Sequence, residues 1–214
     1  MIYVQHRVNS ISQLQKTPLN YGVEIDIRNH GSRLLVEHDP FVTDAPDLCE
    51  WLESYNHRFL IVNVKEEGLE PELFALLERY KVKDFFILDE SLPYIRKYAL
   101  EGVSNFAVRV SEYETVETAL ELQAHLRSSG CKVDWIWLDT FTGHPLPSAS
   151  IARLKSAGFR LCQVSPEYTT LTNLIVGKNV FWIFKRRLEK LVTLIWFALN
   201  VLVYGDKIFI LFIE

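Results

Sequence analysis

A parallel α/β fold, better suited to a (β/α) barrel than to an open sheet, is what this sequence predicts, on three observations. Short apolar runs alternate with helix-like stretches through residue 165. Gly102, Gly130 and Gly158 recur every 28 residues, each just before a β-rich run, which is the length of one βα unit. Seven strand-like runs fit into about 165 residues, close to the spacing a barrel needs. Periodicity alone does not exclude a doubly wound sheet.

The elements follow in order. Ile2–His6 reads as the first strand, and Gly22–Ile27 as the second, with strict alternation. Leu34–His38 is a short extended piece after the turn at His30-Gly31. Strands are then expected at Phe59–Val64, Phe85–Leu88, Asn105–Val110, Val133–Leu138 and Phe159–Val164. Between them lie helices with readable ends. Asp44-Ala45-Pro46 opens Asp47–Tyr55, and Pro71 opens Glu72–Tyr80. Ser91 with Pro93 opens a helix that Gly102 closes. Ser111 with Glu114 has the spacing of a capping box for the helix that Gly130 closes, and Pro147 opens one closed by Gly158.

Composition changes near Pro166. Through residue 167 there are 24 acids and 17 bases; beyond it there are 3 acids and 6 bases. Every Pro and His lies at or before position 166. Residues 1–165 therefore read as the barrel domain and 166–214 as an atypical apolar tail. Leu191–Tyr204 is nearly apolar but short of the ~20 residues a membrane span requires. Three accounts stand side by side: a last helix followed by a closing strand near Ile208–Ile213, an interfacial membrane helix, and sequence foreign to the fold, as after a reading-frame shift. Membrane contact is the less favoured of the first two. The net charge of −4, with no basic block in the barrel region, argues against a nucleic-acid partner. Cys49, Cys131 and Cys162 form no CxxC and suggest buried thiols in a reducing, cytoplasmic setting. No charged and apolar leader opens the chain, so a cleaved signal peptide is not expected.

Four short pieces carry chemistry. His6-Arg7 ends the first strand, Glu24-x-Asp26 lies on the second, His38-Asp39 ends the extended piece, and Asn63-x-Lys65 ends the long strand after it. Residues i and i+2 share a strand face, and the C-terminal strand ends of a barrel converge on one mouth. Glu24 and Asp26 together make a hard-oxygen site suited to Mg²⁺ or Ca²⁺. His6 and His38 can accept and donate protons on either side of a phosphorus, while Arg7 and Lys65 supply positive charge to its oxygens. Arg109, Asp139 and Trp137 lie near later strand ends and are further substrate-binding candidates, Arg109 as a phosphate contact. Taken singly, each piece has a plainer reading: a solvated strand face for Glu24 and Asp26, a turn for His38-Asp39 before Pro40, core packing for Trp135 and Trp137, and surface for His30, His57 and His125.

Together, His6-Arg7, Gly22-Val-Glu24-Ile-Asp26, Gly31 and Val36-Glu-His38-Asp39-Pro40 resemble the signature of the glycerophosphodiester phosphodiesterases. That family belongs to the phosphatidylinositol-phospholipase-C-like barrels, with sphingomyelinase D-type enzymes as relatives. The resemblance covers roughly residues 1–165. It implies a TIM barrel, a divalent cation, and hydrolysis of a small phosphodiester, with His6 and His38 as the acid–base pair, Glu24 and Asp26 on the metal, and Arg7 and Lys65 on phosphate. Three departures accompany it. Asn63 stands where the family has a third metal-binding Glu, which should weaken affinity. Val8 stands where it has Gly. Only a short segment separates Asp39 from the next helix, so the site should be more open. A metal-dependent sugar-phosphate isomerase and a non-catalytic barrel binding a phosphorylated ligand are the alternative readings.

Overall fold

The computed structural model describes residues 2–142, 144–164 and the backbone of 210–213. The expected helix within Phe181–Tyr204 lies outside these residues.

The strands are β1 (Ile2–Gln5), β2 (Gly22–His30), β3 (Arg33–Val36), β4 (Phe59–Val64), β5 (Phe85–Leu88), β6 (Ala107–Val110), β7 (Trp135–Leu138), β8 (Arg160–Val164) and β9 (Ile210–Ile213). The helices are α1 (Ile11–Lys16), α2 (Leu48–Glu53), α3 (Glu70–Arg79), α4 (Leu92–Leu100), α5 (Val116–Ser128) and α6 (Ser148–Ser156). All seven predicted strands before Ser165 are present, and their mutual ladders are parallel. The sheet runs β5-β4-β2-β1-β9-β8-β7-β6. It curls until its outer strands meet at one parallel bridge, Ile87 to Phe106, where the regular ladder is not continuous. The fold is thus α/β with a curled, mostly parallel sheet.

The end of the chain departs from an all-parallel barrel. β9 lies beside β1, as closure requires, but runs antiparallel to both β1 and β8. Ile210 faces Gln5 and Leu211 faces Val164, so β9 enters at the end where β8 leaves. A strand entering from that end must run backwards. Without it β1 and β8 would each present an unpaired edge. Deleting residues 165–214 is accordingly expected to abolish cooperative melting. A shortened chain that stays soluble and melts in one sharp transition would show that β9 is dispensable.

Other differences are local. The extended piece is a hairpin partner: β3 pairs antiparallel with the far end of β2, from Ile27↔Val36 to His30↔Arg33. Helix α1 is additional to the predicted set. Its start carries a full capping box, Ser10 with Gln13. Ser111 and Glu114 do bond, Oγ to Oε2 at 2.9 Å, but they close a turn before the helix, and Thr115 caps α5. Helices α4, α5 and α6 end alike: Gly102, Gly130 and Gly158 take positive φ, and the next residue reaches back to Tyr98, Leu126 and Leu154. Helix α3 ends the same way on Lys81, φ 58°, with Val82 bonding Leu77, which is why no glycine marks it.

Two apolar layers result. Outward-facing strand residues pack under the helices around Ile25, Val62, Trp51 and Leu126. Val4, Phe59, Ile61, Phe86, Leu88, Trp135, Trp137 and Cys162 fill the inside of the curl. Phe59, Phe86 and Trp135 meet with ring centroids 5.0 to 5.7 Å apart, each pair worth about 0.5–1.5 kcal/mol beyond its buried area. A Cβ on Gly22 would fall 2.9 Å from Val4 Cγ2, so only glycine lets β2 pass at the bottom of this core. The three cysteines are free thiols; Cys162 is buried, whereas Cys49 and Cys131 are only half-buried. His57 is a correction to the surface reading: it is buried and bonds the Thr17 carbonyl at 3.0 Å. No described helix is long and apolar enough to cross a membrane.

Candidate active site

Above the inner core the strand ends turn polar. The β2 alternation sends Glu24 and Asp26 inward, both 0% exposed, and the ladder sets Asp26 opposite Asn63 of β4. Two buried carboxylates on one strand would repel each other and lose hydration, so each needs partners. Glu24 finds one in the backbone. After β1 the chain takes a left-handed turn at Arg7 (φ 54°), which aims the Arg7 N–H at Glu24 Oε2, 2.6 Å away. His6 Nε2 stands 3.6 Å from the same oxygen. Asp26 is held by Asn9, whose amide donates to Oδ2 at 2.8 Å and accepts from the Asp26 N–H at 3.0 Å. The Lys65 ammonium pairs with Asp26 Oδ1 at 2.8 Å.

His38 comes in from the loop after β3, its carbonyl fixed by Arg28 Nε at 3.0 Å. Arg7 Nη2 lies 2.9 Å from His38 Nε2, and Asp39 Oδ1 lies 2.8 Å from Nδ1. A guanidinium only donates, so Nε2 is the acceptor and Nδ1 carries the proton toward Asp39. The hydrogen bond from His38 holds the Asp39 carboxyl below its ordinary range. His6 is lowered from 6.5 to about 4, first by burial and then by the Arg7 charge, with Lys65 and His38 adding to it and Asp26 opposing. It is therefore a neutral imidazole near pH 7.

The structure thus brings together His6, Arg7, Glu24, Asp26, His38, Asn63 and Lys65. Arg109 reaches the same mouth, but its guanidinium is taken up by Asp89 and Asp139, with Glu114 Oε2 at 3.9 Å. Three carboxylates thus already compete for the cation that the sequence offers as a phosphate contact. Asp139 is spent on Arg109 and on the Thr140 N–H at 2.9 Å. Trp137, beside Arg109 on the ladder, is buried in the inner core, and its indole Nε1 has no hydrogen-bond partner among the described residues. Asn9 and Asp89 were not among the predicted residues. Asp89 directly follows β5, so the strand-end rule that found Lys65 also points to it. Asn9 has no such marker.

The donor set fits a divalent cation in part. Among the described residues, Glu24 Oε1 and Asn63 Oδ1 are buried without a hydrogen-bond partner, and Asp26 Oδ1 has only its ion pair with Lys65, which is what oxygen ligands look like before a cation satisfies them. Yet among the described residues no three Asp, Glu, His or Cys side chains form a metal-binding group. The third donor is an amide, and Lys65 already sits on Asp26.

No family model matches this chain, and neither does any curated protein. Among solved structures it is similar to a protein of Agrobacterium tumefaciens strain C58 provisionally named a glycerophosphoryl diester phosphodiesterase. The TM-score is 0.54 at 15% identity, over 75% of this chain and 83% of that one. At this identity the likeness is one of fold.

Proposed function

We propose that this chain is a cation-assisted phosphodiesterase acting on a glycerophosphodiester or related phospho-alcohol, built on a TIM-type barrel whose last strand is reversed. The observation that carries the reading is the meeting of two histidines, Arg7 and Lys65 around a buried carboxylate pair, from four separate chain segments. The shared fold with the Agrobacterium protein supports it.

Arg7 and Lys65 bind the phosphate oxygens and take up negative charge as it grows on them. Glu24, Asp26 and Asn63 would hold a Mg²⁺ or Ca²⁺ ion, which supplies further positive charge there when bound. His6, kept neutral, accepts the proton of the attacking hydroxyl as its oxygen bonds to phosphorus. His38, its Nδ1–H held by the Asp39 carboxylate, gives a proton from Nε2 to the departing alcohol oxygen as the P–O bond breaks. When Arg7 turns to the phosphate, His38 Nε2 is freed to take up a proton from water and pass it to that oxygen. The test is a panel of glycerophosphodiesters incubated with the purified full chain, with and without Mg²⁺ or Ca²⁺. Release of alcohol that stops on chelation is expected. Binding of these compounds without any release would make the protein a ligand-binding barrel instead.

A further inference from the structure

Lys65 occupies the place where a cation should go. Its ammonium pairs with Asp26 Oδ1, an oxygen of the same carboxylate pair that would ligate a divalent ion. The side chain is only 16% exposed, so it cannot simply withdraw into water. A divalent cation and an ammonium cannot share one buried carboxylate oxygen at contact distance without strong repulsion. Among the described residues, one other carboxylate lies within ion-pair distance. Asp89 Oδ2 is 4.0 Å from Lys65 Nζ. Asp89 is itself fixed: it follows β5 in a left-handed conformation, φ 66°, and the Arg109 guanidinium bonds it while also bonding Asp139. The cluster Asp89, Asp139 and Glu114 carries three negative charges around the single charge of Arg109, leaving it able to take a second cation.

We propose that Lys65 stands in for the divalent cation and that Asp89 is the station to which it moves when the cation arrives. Asp89 and Arg109 are then positioning residues: they touch neither cation nor phosphodiester, but receive the displaced ammonium and hold it at the mouth, where it meets the phosphate. This rests on the cation-assisted reading and adds a competition that the reading does not require. It also gives Arg109 a role in place of direct phosphate binding.

The experiment is calorimetric titration of Mg²⁺ and of Ca²⁺ into wild type, Lys65→Gln, Lys65→Met, Asp89→Asn and Asp26→Asn, with melting curves for each. Removing the competing ammonium should tighten cation binding by roughly tenfold or more, although turnover falls. Asp89→Asn should weaken cation binding by about tenfold, since the ammonium then has nowhere to go. Asp89→Asn leaves the buried pair intact, so it tests the exchange even where the Lys65 variants fail to fold. Binding in a Lys65 variant but not in wild type supports the proposal outright. If wild type binds and Asp26→Asn does not, while the Lys65 and Asp89 variants match wild type, the exchange is wrong and the cation-assisted reading stands. If no variant binds either cation, both fall together.

Discussion

His38→Ala and His6→Ala are each expected to lower kcat by about 10²–10⁴-fold while leaving the melting temperature within a few degrees of wild type. The two residues reach the site by different routes. His6 closes β1, packs close to Glu24 and is held neutral by burial and by Arg7. His38 hangs from the loop after β3, tied between Arg7 and Asp39. Neither belongs to the apolar core, so their loss removes proton transfer more than packing. Asp39→Asn should reproduce part of the His38 defect, because the carboxylate that holds the ring through Nδ1 is lost. Steady-state kinetics with a competent glycerophosphodiester, beside thermal melts, provides the check. Near-wild-type kcat in both alanine variants would defeat the acid–base assignment.

How much of this was legible in the sequence depends on the range over which each feature is determined. Alternation along Gly22–Ile27 and Phe59–Val64 is local, and it placed Glu24, Asp26, Asn63 and Lys65 on inward faces. The ladder then sets Asp26 against Asn63. Helix ends carried by glycine were visible; the one carried by Lys81 was not, because a lysine in a left-handed turn leaves no compositional mark. The Ser10–Gln13 box that starts α1 was present in the sequence, but the helix is only six residues long and has a single buried side chain, Leu14. Too little apolar periodicity remains to betray it.

What the sequence could not reveal is partnership across the mouth. Arg109 has the right type and place for a phosphate contact, and only the convergence of Asp89, Asp139 and Glu114 shows that its charge is already engaged. Asn9 likewise becomes meaningful only through its two bonds to Asp26. The direction of β9 is equally non-local: its apolar run suits either orientation, and the register against β1 and β8 decides it.

In chelator-treated protein, Glu24→Gln is expected to raise the melting temperature while abolishing cation binding and turnover. Burial first, and the Asp26 charge second, push the Glu24 carboxyl from its ordinary 4.5 up to about 8, against the opposing pull of the Arg7 N–H, Lys65 and Asn63. In the unfolded chain the same carboxyl ionises at its ordinary value. Between those two pH values the unfolded chain has released the proton and the folded one still holds it. Stability from this group is therefore full below the unfolded value, falls as pH rises, and is fully lost once pH passes the folded value. Glutamine keeps nearly the same shape, stays neutral at every pH and removes that slope. The gain grows as pH rises toward the folded value and should appear as a melting temperature several degrees above wild type. Melting curves from pH 5 to 8 decide it: the wild-type transition should fall with pH and the Glu24→Gln transition should fall much less. Parallel profiles would mean that Glu24 is already ionised in the folded protein, and cation binding by the glutamine variant at wild-type strength would remove Glu24 from the metal site.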